Sequence, residues 1–489
     1  MQPLVRPQAQ LRAVEDIKTG PMRCAALPLW SWFDTTGAAL MNRTQPAGLG
    51  RRMHQLARVA LGQLPRNTRH AFYRWMIDCD PQPDPRLELG IAATGRDLEA
   101  CFSLLHDAYV ASGFMRPDAS GLRVTPYHAL PTTTTLFARF DGQIVGTLSI
   151  IREGVFGFPL QSVFKLTALR TQPGRIAEIS ALAVHPQFRK TGGTVLFPLM
   201  KFMYEYCTAY FDTRHLVIAV NPNKIEMYES LLFFQRLQAQ VVDNYDFANG
   251  APAVGATLDL QAAPAIFRAV YEGRPGRKDL HRYFTRTPLP HIQFPARPYF
   301  TTNDPVMSPA LLDHFFNQRT QIFSQLDERR RQLLHAIYHE EAYRKVLPAT
   351  DQRSADNAAL RRYRRHSMRC PAWFLEGHAH AARVPLEVVN VSLHGFLARA
   401  DAALPQHVQG KVCVGLGAGC MSTAQVTAVR HESTAQGHFV GFRIDEPDLA
   451  WRRCISHLEN SEDPAADLHP KVRFDDPEKA RSGEALETA

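Results

Sequence analysis

The sequence predicts an α/β domain, a helical connector and a small all-β barrel, in that order. Three observations carry this. Helical and β-rich segments alternate between residues 88 and 265, apolar pairs recur at i, i+4 between 309 and 337, and short apolar runs separated by turn residues fill 360–460. At 489 residues the chain is too long for one ordinary core and suits two domains with connecting segments.

Taken in order, residues 1–87 are a basic extension and linker. They hold one predicted helix, "RRMHQLARVALGQL", ending at Pro65, whose basic and partly apolar face suits a solvated helix, a membrane surface or an acidic partner. The prolines of "DCDPQPDPRLELG" oppose helix and read as linker. Within 88–265, "RDLEACFSLLHDAYVAS" is helical by its apolar spacing, and "TLFARFDGQIVGTLSII" is a hairpin turning at Asp141-Gly142. "RIAEISALAV" is a strand, "TVLFPLMKFMYEYCTAYF" a helix, "HLVIAV" a short buried strand and "NKIEMYESLLFF" a further helix. Residues 266–355 are the connector; Ser308-Pro309 is an N-cap and first-turn pair, and the stripe from Leu311/Phe315 to Leu333/Ile337 reads as an interdomain or dimer contact. Residues 356–462 hold the barrel, and 463–489 are charged, poor in apolar residues and read as disordered.

Composition narrows the function. The eight cysteines (24, 79, 101, 207, 370, 413, 420 and 454) show no C-x-x-C pair or zinc spacing, so free thiols and no metal site are expected. The N-terminus lacks a signal-peptide pattern and no long apolar run is present, so a cytoplasmic chain without a membrane span is expected, peripheral membrane contact staying open. A net charge of +9 favours an anionic partner.

In "RIAEISALAVHPQFRKTGGTVLFPLM" a strand meets Arg189, Lys190 and a Gly192-Gly193 turn just before a helix, an arrangement that aims backbone N–H groups at a phosphate. Strand, Arg-x-x-Gly loop, helix, strand and "VNPNKIEMYESLLFF" together resemble the GNAT acyltransferase superfamily, with Asn221 and Tyr228 seven residues apart as in its closing motif. More closely, "YHALPTTTTLFARFDGQIVGTLSIIREGVFGFPLQSVFKLTALR" followed by "GRIAEISALAVHPQFRK" resembles the FeeM-type N-acyl amino acid synthases, relatives of acyl-homoserine lactone synthases. That resemblance implies fatty-acyl transfer from acyl carrier protein, or acyl-CoA, to an amino acid's amine. It also implies two parallel strands, 176–184 and 216–220, that splay around the pantetheine arm. Leu182 and Val184 would then line the donor, with the thioester carbonyl near the backbone of Leu182. Where the family loop ends R-x-x-G-x-G/A, "RKTGGT" ends in Thr194, which suits a carrier-protein donor met by Arg189 and Lys190.

Aminolysis of a thioester needs a base for the amine's proton, oxyanion stabilisation and an acid for the thiolate. Glu178 is the candidate base, directly, through water or by orienting the ammonium. Tyr228 is the candidate acid or a core tyrosine, and Asn221 completes the motif. Arg123 and His128 in "LRVTPYHALPTT" are candidates for the acceptor's carboxylate or for surface roles. His185 has no assigned role.

The run "RRYRRHSMRC" would suit any polyanion, yet "NVSLHG" follows it, Asn390 lying 21 residues after Arg369. R-x-x-x-R with D/N-x-S-x-x-G resembles the PilZ domains, receptors for cyclic di-GMP. The resemblance assigns Arg365 and Arg369 as the pair, Arg364 as the adjoining arginine, and Asn390, Ser392 and Gly395 to the guanine edge. Arg361 and Arg365 make a second register. Arginine suits phosphodiesters and guanine O6/N7 alike. The resulting expectation is an α/β GNAT-fold N-acyltransferase regulated by a C-terminal PilZ barrel. A catalytically inert cyclic di-GMP-responsive adaptor and an acetyl-CoA-dependent enzyme acting on a small amine or protein lysine are the alternatives.

Overall fold

The computed structural model describes residues 63–350 apart from 190, 192, 212, 296, 305, 339 and 340, and residues 365–460 apart from 377–382, 418, 435 and 436. The expected helix upstream of Pro65 and the charged tail lie outside the described residues. A mixed sheet of the expected α/β type forms the larger body, in the order β1-β2-β3-β4-β5-β8-β6, with β7 on β8. The strands are β1 (Leu87–Ile91), β2 (Thr133–Phe140), β3 (Gln143–Arg152), β4 (Arg175–Val184), β5 (Thr213–Val220), β6 (Gln235–Arg236), β7 (Val242–Tyr245) and β8 (Ala251–Asp259). All neighbours run antiparallel except β4 and β5, which are parallel.

Local chemistry sets these elements. Asp141 and Gly142 both adopt positive φ, 48° and 79°, the conformation a two-residue hairpin with right-handed strand twist demands. The helix α2 (Gly95–Ala111) is capped by Thr94, whose side chain accepts from Asp97 N at 3.1 Å. Its buried Leu98, Cys101, Phe102 and Leu105 form one face against the sheet.

Two segments differ from the sequence reading. Directly after Pro65 the chain forms α1 (Arg66–Trp75), which docks through Arg69 Nε to Glu226 at 2.6 Å and Arg74 Nε to Ser230 O at 3.0 Å. The end of the Pro-rich stretch is the edge strand β1, because Leu87 and Leu89 alternate inward once past the last proline. Helix α3 (Leu196–Tyr210) covers the opposite sheet face from α2, and α4 (Pro222–Leu231) follows β5.

The connector packs onto this body. Phe267 and Tyr271 of α5 (Ala263–Tyr271) and Tyr283 and Phe284 of α6 (Leu280–Thr285) join the core under α3. Ser308 caps α7 (Pro309–Asp313), its side chain accepting from Leu311 N at 3.3 Å. Leu312, Phe315 and Phe316 are fully buried, with Phe315 edge-on to Phe102 at 5.2 Å. That stripe therefore closes the α2 face of the same body; the expected interdomain or dimer role is not where these rings go.

The barrel is closed by six antiparallel strands in the order β10-β11-β14-β13-β12-β9. They are β9 (His366–Glu376), β10 (Val384–Ser392), β11 (Gly395–Ala400), β12 (Gln409–Gly417), β13 (Cys420–Thr434) and β14 (Gly437–Ile444). A closing helix not anticipated from the pattern, Leu449–Asn460, inserts Trp451, whose Nε1 donates to Ser392 O at 3.1 Å.

Residues 297–304 strap the two bodies together. On the barrel side, Arg369 N donates to Phe300 O at 2.9 Å, Phe300 N to Leu416 O at 3.0 Å and Thr302 N to Ser367 O at 3.2 Å. On the other side, Asp304 is 2% exposed and accepts from Arg297, Thr134 and Tyr206, the last at 2.8 Å, while its N–H reaches Pro131 O at 3.1 Å.

Candidate active site

β4 and β5 are paired only from Arg175↔Thr213 to Glu178↔Val217. Beyond that point β4 carries a bulge, with Ala181 at φ 55° and Ala181 and Leu182 out of register with β3. An extra residue kinks its strand and turns it from its neighbour. The result is the expected splay, and it opens a cavity of about 580 Å³, within the range of about 300–1,000 Å³ usual for small-molecule sites. Leu182 and Val184 line it. On the α2 side the wall includes Tyr109, Tyr245 and Phe247; on the α3 side it is mostly apolar, with Met200, Met203, Phe267 and Phe284.

Glu178 sits where the pairing stops. It is 2% exposed, and its Oε2 accepts the Leu160 N–H at 3.0 Å. Burial pushes its pKa up to about 8, the Leu160 N–H only partly opposing this. A carboxyl so placed is a usable proton acceptor near neutral pH. Tyr228 lines the same cavity from α4, edge-on to Phe234 at 5.8 Å, and burial holds its hydroxyl at about 12, so it stays a donor. Asn221 also faces the cavity, but its side-chain oxygen accepts from Asn223 N at 3.0 Å as the cap of α4, with Pro222 in the first turn.

At the phosphate turn, Arg189 Nε donates to Val184 O at 2.7 Å, tying the turn to the end of β4. Gly193 has φ 80°, and a Cβ there would lie 2.6 Å from the Phe197 ring, so the position requires glycine. Thr191 and Thr194 hydroxyls meet at 2.6 Å, which gives the departing Thr194 a role in closing the loop. Lys190 and Gly192 lie outside the described residues.

The two carboxylate candidates part ways from expectation. His128 is 4% exposed; its Nδ1 accepts from Thr125 N at 3.0 Å and its ring packs on Phe102 at 4.8 Å. Burial lowers its pKa to about 3, so it is a neutral core histidine, spent in the Pro126–Ala129 turn. Arg123 lies behind the cavity wall, its guanidinium 4.0 Å over the Tyr109 ring and donating to Phe247 O at 2.7 Å. It stiffens the wall and contributes charge through it. Tyr109, Tyr245 and Phe247 were not singled out in the sequence, since none lies in a motif.

On the barrel, Arg365 Nη1 lies 3.4 Å from Asn390 Oδ1 on the outer face. Arg369 Nε donates to Glu387 at 2.8 Å, and Arg399 reaches the same carboxylate at 2.8 Å. Burial would raise the Glu387 pKa, but Arg369, Arg399 and more distant Arg175 of β4 together hold it low. Ser392 Oγ donates to Gly395 O at 3.0 Å across the β10–β11 turn, and a Cβ on Gly395 would stand 2.7 Å from Phe442 O. Those two residues shape the turn that presents Asn390. Arg361 and Arg364 lie outside the described residues, so Arg365 and Arg369 are the members of the run whose placement is given.

Comparison with known proteins adds to this geometry. Residues 100–259 match the family model described as N-acyl amino acid synthase FeeM. Among solved structures, FeeM, an N-acyl amino acid synthase from uncultured soil microbes, is 22% identical, with 37% of this chain and 95% of that chain covered and a TM-score of 0.32. The AHL synthase LasI is 17% identical (39% and 97% covered, TM-score 0.30). The CoA-dependent acyl-homoserine lactone synthase BjaI, solved with SAM and isopentyl-CoA, is 20% identical (39% and 91%, TM-score 0.30). No curated protein matches the chain. The family model thus covers the stretch from α2 to β8, and N-acyl amino acid synthases are what that stretch is similar to.

Proposed function

We propose that the α/β domain moves a long-chain acyl group from an acyl carrier protein thioester to the amine of an amino acid, and that cyclic di-GMP bound by the barrel regulates it. The observation that carries the first half is Glu178, a buried carboxyl with a pKa near neutrality at the point where β4 and β5 part. In this reading the pantetheine arm enters the splay and the thioester carbonyl faces the bulge at Ala181 and Leu182. The amine nitrogen attacks the carbonyl carbon, Glu178 takes the nitrogen's proton, and the C–S bond breaks as Tyr228 gives its proton to the sulfur. Asn221 keeps α4, and with it Tyr228, at the cavity edge. The apolar α3 side suits a fatty chain.

The test is mass spectrometry of lipids from cells making the protein, and of reactions supplied with acyl carrier protein or CoA thioesters of graded length. N-acyl amino acids are the expected product, strongly reduced with Glu178→Gln. If neither donor yields an acylated amine, the enzymatic reading fails. Filling the apolar side with Met203→Trp is expected to shorten the preferred chain. Each excluded methylene forfeits about 0.8 kcal/mol, roughly fourfold in kcat/KM, so an unchanged product distribution would place the chain elsewhere.

For the barrel, Arg365 beside Asn390 and the Arg369, Arg399 pair around Glu387 form a guanidinium-rich outer face suited to a dinucleotide with two phosphodiesters. Calorimetry with cyclic di-GMP is expected to lose about tenfold to a hundredfold in affinity for each of Arg365→Ala and Arg369→Ala. Unchanged affinity in the double variant would refute this register. The strap offers the route to the active site: it bonds to Ser367 and Arg369 at one end and to Pro131 and Thr134 at the other. Binding shifts catalysis only if the ligand prefers one arrangement of that strap.

A further inference from the structure

Tyr245 ends β7, where the chain turns back through Asn249 and Gly250, both at positive φ, to pair with Ala251. The tyrosine is 3% exposed and lines the cavity on the same side as Glu178, but its hydroxyl is buried with no hydrogen-bond partner. Leaving a buried phenol hydroxyl without a partner is costly, and in the wall of a cavity that hydroxyl can be satisfied by a polar group of a bound molecule. Glu178 also has one oxygen to spare, since among the described residues only Oε2 is hydrogen-bonded. The two groups are near enough for their charges to interact, yet no hydrogen bond joins them.

The two ends differ in sign. At one is a carboxyl; at the other is a hydroxyl that burial keeps protonated, backed by the Arg123 guanidinium behind Tyr109 and Phe247. An ionised glutamate takes the ammonium or amine end of an acceptor, and a hydroxyl with its proton free to donate near a cation favours an anion. We infer that Tyr245 is a specificity-determining residue whose hydroxyl donates to the acceptor's α-carboxylate, while Glu178 meets its amine. This rests on the amine-acylating reading above and gives Tyr245 the contact that the sequence had suggested for Arg123 and His128. The acceptor class is thereby a zwitterion and not a simple amine.

The test compares the best acceptor from a panel of amino acids with its methyl ester, which keeps the side chain and amine but loses the negative charge. Wild-type protein is expected to prefer the acid in kcat/KM, and Tyr245→Phe to shrink that preference by tenfold or more, chiefly through KM. The variant removes an unpaired hydroxyl, so its melting temperature is expected not to fall, and the inflection near pH 8 assigned to Glu178 is expected to stay. An undiminished preference for the acid, or an equal loss for acid and ester, overturns the assignment to Tyr245 alone. Absence of acylation of any acceptor by wild-type protein overturns the parent reading and this one with it.

Discussion

Glu178→Gln is expected to lower the rate of amine acylation by about 10²–10⁴-fold, the usual contribution of a positioned base, while leaving donor binding in place. Glutamine keeps the shape and can still accept the Leu160 N–H, but it cannot take a proton. The pH dependence sharpens the test. Only ionised Glu178 accepts a proton, so the wild-type rate rises about tenfold per unit up to the pKa near 8 and then levels. In the glutamine variant that inflection disappears, and any titration left belongs to the amine itself. A wild-type inflection that survives in the variant would assign the base elsewhere.

The same group makes a stability prediction of opposite character. The folded pKa of about 8 lies above the ordinary glutamate value of 4.5. Between those two values the folded chain holds a proton that the unfolded chain has released, so stability falls as pH rises. One proton corresponds to a slope of about 1.4 kcal/mol per pH unit. Above pH 8 the full cost is present, and there Glu178→Gln is expected to melt higher than wild type. Melting curves at pH 5 and pH 9 check this: the two proteins converge at the lower pH and separate at the higher. Catalysis and stability thus pull Glu178 in different directions, as expected where a site keeps a charge in a poor solvent.

Much of this site was legible because it depends on local chemistry. Asp141-Gly142, the Thr194-terminated turn and the Asn221–Tyr228 spacing are each set within a few residues; the hairpin turns at Asp141-Gly142, and Gly193, Asn221 and Tyr228 line the cavity. His128 is not legible from its own stretch, a short turn between Pro126 and Pro131, because its neighbours in space are Phe102 and Ser149, brought there by α2 and β3. Tyr245 could not be found in "VDNY", a four-residue strand with no apolar alternation, since its meaning comes from Glu178, 67 positions earlier. Asn221 illustrates a residue whose motif admits two readings, because an Asn-Pro pair before a helix is already explained by capping. The strap is the extreme case. Its prolines and mixed polarity resemble any loop, and only its partners, from Tyr206 to Arg369, give it a purpose.

Asp304→Ala is expected to be the most destabilising single change outside the hydrophobic core, at about 3–5 kcal/mol. Among the described residues its carboxylate is the one anion of a buried cluster that holds two guanidiniums, Arg152 and Arg297, whose side chains are only 10% and 5% exposed. Arg297 bonds to it directly, and Arg152 lies at 3.8 Å while donating to Thr134 at 2.8 Å and stacking 3.7 Å over Phe211. Removing the carboxylate leaves two like charges facing each other in a dry site, which costs more than losing the bonds themselves. Arg152→Met takes away one cation and leaves Asp304 paired with Arg297, so it is expected to cost clearly less. Denaturant unfolding of the two variants measures the difference; equal losses would show that charge balance is not what the cluster supplies. The same substitution probes regulation, because Asp304 fastens the strap to β2 and the end of β3, where Ile151 is registered opposite Glu178. If cyclic di-GMP acts through the strap as proposed, then at temperatures where Asp304→Ala stays folded its affinity at the barrel is expected to survive while its effect on turnover is lost. Persistence of the full effect would mean that the bodies communicate by another path.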